Sequence, residues 1–145
     1  MLALQVDRAQ GAHVIVSGAG IDSDPLQMAL NLGAEETLDA SSQDLNAVVK
    51  RVTNGEGVDV VLECAGSASA VDAGLHAIRK AGQFTQVGLF GKPVTIDFER
   101  ICFKEIKTIG STGSKRIPWE AGIRLVENGE VQTHPLVSHG MPTKN

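Results

Sequence analysis

The sequence predicts an α/β fold, a doubly wound and mainly parallel sheet with helices on both faces. Three observations carry this. HVIVSG (13–18) and VDVVLE (58–63) are nearly continuous apolar runs of strand length, the pattern of strands buried on both faces. Runs with helical period separate the strands, and strand–helix–strand units close through right-handed crossovers into parallel sheets. Three strands then stop at a glycine, Gly18, Gly66 and Gly88. Ligands of such sheets bind beyond the strand C-termini, and glycine lets a ligand approach the backbone. Turns also favour glycine for their own reasons, so the three together carry more than any one.

Residues 1–10 read as a helix, with Leu2, Leu4 and Val6 among good helix formers and Gly11 as a stop. After the strand 13–18, Asp24 is placed to cap a helix with Pro25 at its first position, ending at Gly33. A short strand follows at 36–40. Ser41 or Ser42 is expected to cap a third helix through Val52, with Leu45, Val48, Val49 and Val52 on one face. The strand 58–63 turns at Gly66 into a helix over 69–80. A strand over 83–88, an extended piece at 94–98 and a strand over 106–110 complete the sheet. A last helix spans 118–128, between Pro118 and Gly129, with Trp119 as its anchor. The tail from Val131 shows no period.

The chain's 145 residues suit one domain. With 42% hydrophobic and 21% charged residues, it has the balance of a globular protein able to bury a core. Net charge is −4, and Lys and Arg form no run. That disfavours nucleic acid and anionic membranes as partners. No apolar run reaches the roughly 18 residues of a membrane span. The N-terminus has no basic region before its apolar stretch, so it does not read as a signal peptide. Cys64 and Cys102 are too few for a disulfide scaffold and match no zinc spacing, so they read as reduced, largely buried thiols of a cytoplasmic protein. His13, His76, His134 and His139 share no metal spacing either.

Four stretches, LNLGAEETLD (30–39), GVDVVLECAGS (57–67), IRKAGQFTQVGLFGKPVTIDF (78–98) and FKEIKTIGSTGS (103–114), stand in an order and spacing that cover essentially the whole chain. Together they resemble the cofactor domain of the zinc-type medium-chain dehydrogenases, the alcohol, sorbitol and threonine dehydrogenase group, with the polyol-type members nearest. The resemblance implies a Rossmann-type fold, NAD or NADP as cofactor, and hydride exchange with an alcohol or polyol. In its register the first strand and the glycine loop GxGxxG would precede Met1. The reading is therefore a single, partial dinucleotide-binding domain over 1–145, without the GroES-like catalytic domain that holds zinc in such enzymes. A zinc ligand set is not expected in this chain. The alternative is a non-catalytic product or association module. One decoy exists: SGAG (17–20) follows a strand, but the third glycine of the loop pattern falls on Ser23.

The candidate cofactor residues follow from the strand ends and from this resemblance. Ser17 and Gly18 end the strand where NAD-preferring enzymes of this kind carry an acid for the ribose hydroxyls. Ser17 removes that charge, but no Arg or Lys follows to pair a 2′-phosphate, and Asp22 could reach the ribose instead. NAD is preferred on that ground. Asp22 and Asp24 also read simply as turn and cap residues. The resemblance places Cys64, Ala65 and Gly66 beside the nicotinamide ribose, with Val87, Gly88 and Leu89 next to them. Val87 and Leu89 read equally well as core. By the same resemblance, backbone groups near Gly110, Ser111 and Thr112 would meet the carboxamide. The dinucleotide is the expected partner. The resemblance further implies a homo-oligomer through the edge strand near 105–111.

Overall fold

A computed structural model of the chain describes residues 1–19, 23–113 and 116–139. The chain divides into two compact units, one of residues 1–43 with 114–145 and one of residues 44–113.

In the first unit, α1 (Leu2–Ala9) leads to β1 (Ile15–Gly18), α2 (Ser23–Asn31) and β2 (Glu36–Asp39), and α6 (Arg116–Glu127) comes from the far end of the chain. β1 and β2 pair in parallel, with Ile15 beside Glu36 and Gly18 beside Asp39. Leu4, Ala29 and Ala34 form the buried cluster, with Val14, Val16 and Leu32 against it. Small Ala29 and Ala34 let the helix and the chain after it approach closely. Gln5 is buried, which costs free energy unless both ends of its amide are bonded. They are: Nε2 donates to the Gln132 carbonyl (3.1 Å) and Oε1 accepts from the Gln132 N–H (2.7 Å).

In the second unit, α3 (Leu45–Val52), β3 (Val58–Glu63), α4 (Ala68–Ala77), β4 (Ile78–Gln86), α5 (Glu99–Phe103) and β5 (Lys107–Gly110) follow in order. The three strands form one parallel sheet in the order β3-β4-β5. Val71, Leu75, Ile78, Phe84 and Ile106 make its core, with Val61, Phe90, Ile96 and Ile101 against them. The strand–helix alternation and the parallel pairing agree with the sequence reading.

Several local expectations are corrected. The third helix starts at Leu45, not after Ser42. Its cap is Asp44, whose carboxylate accepts from the Asn46 N–H at 2.9 Å. Ser41 and Ser42 are engaged by the Asp39 carboxylate instead. α2 begins at Ser23, ahead of the expected cap Asp24. α4 ends at Ala77, and residues 78–82, expected to be helical in part, open β4 around an irregularity in its pairing with β3. The Lys104 Nζ donates to the carbonyls of Leu75, His76 and Ile78 (2.9, 2.7 and 2.7 Å), so the acceptors at this helix end are met from outside the helix. Residues 94–98 form no strand, yet Ile96 still reaches the core. β3 is an edge strand of its sheet, and Val60, opposite the face on which Val61 packs, is 51% exposed. Val52 is exposed as well, and Trp119 is 63% exposed and does not anchor α6. Both cysteines are exposed rather than buried, and they form no disulfide.

Candidate functional site

The parallel register of the second unit's sheet puts Glu63, Gln86 and Gly110 side by side as the last row of β3, β4 and β5. Every candidate cofactor residue of this unit lies at or just beyond that row. Cys64, Ala65 and Gly66 follow β3, Val87, Gly88 and Leu89 follow β4, and Gly110 and Ser111 end β5. Parallel strands all finish at one edge, so turns 21 to 47 positions apart come to it together. In the first unit, Ser17 and Gly18 end β1 at the corresponding edge of its own sheet, and Ser17 is exposed. Gly20 and Asp22 lie outside the described residues.

Val87 and Leu89 are exposed, Leu89 at 83%, so their reading as core side chains is withdrawn. The glycines have a reason of their own. A Cβ on Gly88 would fall 2.2 Å from the Gly66 nitrogen, and one on Gly66, at φ +67°, would fall 2.3 Å from the Leu89 carbonyl oxygen. The two turns are pressed backbone against backbone, so these glycines serve each other and not only an approaching ligand. Gly110 has nothing within 4 Å of such a Cβ and stands open.

Glu63 holds this edge together, and the sequence reading missed it. Its side chain is 3% exposed. Oε1 accepts from the N–H groups of Ala65 and Gly66, both at 2.9 Å, and Oε2 accepts from Gly66 at 3.1 Å and from the Gln86 carboxamide. The Glu63 carbonyl accepts from Val87 and Gly88 (both 2.8 Å). Gln86 Nε2 also donates to the Gly88 carbonyl (2.8 Å). Among the described residues Glu63 makes no ion pair; its charge is met by N–H groups, a strong class of hydrogen bond. The signal was visible: one acid closing the otherwise apolar run VVLE, directly before a turn.

A cavity of about 350 Å³ lies at the opposite end of this sheet, lined by Lys50, Gly57, His76, Arg79, Lys80 and Lys104 among others. Its basic groups are largely committed: Arg79 to Asp59, Lys80 to Glu105 and Lys104 to three carbonyls. Volume alone does not make it the site. Among the described residues, no three His, Cys, Asp or Glu side chains gather where they could hold a metal ion. Among the same residues, no helix is long and apolar enough to cross a membrane.

The sequence model of the zinc-binding dehydrogenases matches residues 1–128. The chain belongs to the zinc-binding dehydrogenase family. Within it, the chain is 38% identical over 140 residues to a sorbitol dehydrogenase of Halalkalibacterium halodurans, a match spanning 96% of this chain and 41% of that one. It is 39% identical over 140 residues to a D-arabitol-phosphate dehydrogenase of Enterococcus avium, spanning 96% and 40%. Thus the chain spans about 40% of the length of the curated relatives it matches. Among solved structures, a zinc-binding dehydrogenase from Sinorhizobium meliloti bound to NADP superposes with a TM-score of 0.78 at 29% identity, over 93% of this chain and 40% of that one. A benzyl alcohol dehydrogenase from Acinetobacter calcoaceticus gives 0.73 at 29% identity, over 88% and 36%.

Proposed function

We propose that these residues form part of the nicotinamide-dinucleotide site of an oxidoreductase acting on the CH–OH group of an alcohol or polyol. The observation that carries this is the row Glu63–Gln86–Gly110, which delivers three exposed backbone turns to one sheet edge. Membership of the family and the NADP-bound relative support it. Bound there, the cofactor supplies hydride exchange. The second unit's own part is to orient it through Cys64, Ala65, Gly66, Val87, Gly88, Leu89, Gly110 and Ser111; in the first unit, Ser17 and Gly18 are the candidates for a ribose contact. Ser17 brings no charge against a 2′-phosphate, yet no cation stands beside it in sequence, which favours NAD. Among the described residues no zinc ligand set gathers. Association of copies through the exposed edge strand β5, and a cytoplasmic setting for the two exposed thiols, belong to the same reading.

The 145 residues contain no GxGxxG, whose N–H cluster holds a pyrophosphate. Without two or three contacts of that kind, affinity falls by more than about a thousandfold, to the millimolar range. Titration of the isotope-labelled chain with NAD, followed by NMR, tests the reading. Amide shifts at 17–18, 64–66, 87–89 and 110–111 are expected at millimolar NAD. Shifts confined to other residues would sink it.

A further inference from the structure

We propose that Glu63 is a positioning residue that fixes the hydrogen-bonding polarity of this edge, so that the edge takes a neutral, donor-bearing part of a ligand and turns phosphate away. This rests on the cofactor reading above and names how that site is set. The N–H groups of Ala65 and Gly66 point inward to the Glu63 carboxylate, and those of Val87 and Gly88 to the Glu63 carbonyl. The Ser111 N–H goes to the Gln86 carbonyl at 2.9 Å. Five turn amides along the edge are thereby engaged. Phosphate sites need free, convergent N–H groups, and a carboxylate behind the turn adds repulsion. With these five amides engaged, acceptor rather than donor groups are what the proposed edge leaves to a ligand, beside the apolar surface of exposed Val87 and Leu89. Such a surface meets hydroxyl and carboxamide donors. The acid matters because an amide at position 63 would aim its own NH₂ at one of three donors, the Ala65 and Gly66 N–H groups or the Gln86 carboxamide.

The experiment uses the labelled 145-residue chain as wild type, Glu63→Gln and Gln86→Ala, with nicotinamide mononucleotide, AMP and inorganic phosphate as probes. In the wild type, nicotinamide mononucleotide should shift residues 64–66 and 87–89, and inorganic phosphate should leave the same amides unmoved. In Glu63→Gln, hydrogen exchange at Ala65 and Gly66 should quicken by about tenfold or more, the loss of a charged hydrogen bond. Exchange at Leu75 and Phe84 should hold. The response to nicotinamide mononucleotide should weaken by about as much, while the AMP response at Ser17 and Gly18 stays, which a merely structural role would not spare. If Glu63→Gln does not fold, Gln86→Ala decides, because it leaves the carboxylate and removes one donor. A several-fold weaker response at 87–89 supports the proposal, and an unchanged one overturns it. The proposal also falls if Glu63→Gln keeps slow exchange and full response, if AMP and nicotinamide responses fall together, or if phosphate moves the wild-type turn amides. A wild type blind to nicotinamide mononucleotide, with Ala65 and Gly66 freed in Glu63→Gln, counts against the cofactor reading and for the clamp.

Discussion

Gly88 lies against Gly66 so closely that a Cβ added to Gly88 would stand 2.2 Å from the Gly66 nitrogen. The atom it would meet is backbone and cannot swing aside. Gly88→Ala must therefore separate the two turns and strain the Glu63 bonds that join them. The expected loss of stability is about 1–3 kcal/mol or more, the range for overpacking. Gly66→Ala adds the strain of a left-handed φ to a comparable clash. Urea unfolding of both variants checks this; a change within about 0.5 kcal/mol, as at an ordinary surface site, would contradict it.

Phe84 and Trp119 should trade the importance their types suggest. Phe84 is 2% exposed in the core of the second unit, so Phe84→Ala should cost about 3–5 kcal/mol through lost burial and a cavity. Trp119 is 63% exposed, and Trp119→Ala should stay within about 0.5 kcal/mol. Thermal unfolding of the two variants side by side is the measurement.

The cap of α3 is Asp44. Asp44→Ala removes the acceptor of the Asn46 N–H and should cost about 0.5–2 kcal/mol. Ser41→Ala and Ser42→Ala leave that cap intact and should cost less. Equal effects in denaturant titrations would show that the helix starts elsewhere.

Lys104 carries the pH prediction. Burial first, and the neighbouring Arg100 charge second, hold its ammonium below the ordinary lysine range. The folded chain thus releases this proton earlier than the unfolded chain. Between the folded value and about 10.4, the unfolded state binds more protons, so stability from this group rises with pH; it is lost as pH falls through the folded value. Lys104→Met removes the three carbonyl bonds and should lower stability at neutral pH by about 1.5–3 kcal/mol. Wild type should then gain on this variant as pH rises toward that of free lysine. Melting temperatures across the alkaline range test the sign.

What the sequence determined by itself is what local chemistry and periodicity encode. Apolar runs at 13–18 and 58–63, the helical period of 45–52 and the glycine after 127 each speak through a few neighbouring residues, and parallel pairing follows from their alternation. The candidate turns were legible for the same reason, since parallel strands end at one edge. Tertiary structure decided what depends on residues far apart in the chain. Gln132, in a tail without period, is tied to buried Gln5 by two hydrogen bonds across 127 positions. Lys104 meets the carbonyls at the end of α4 from nearly 30 residues away, and that contact accompanies a helix shorter than its period suggested. Trp119 and the two cysteines read as interior by residue type, yet lie outside because burial is set by what packs above a side chain. Glu63 reads as one acid in an apolar strand. Only the fold brings Gln86 and the backbone of Gly88 to it, and so turns a buried charge from a cost into the clamp of two turns.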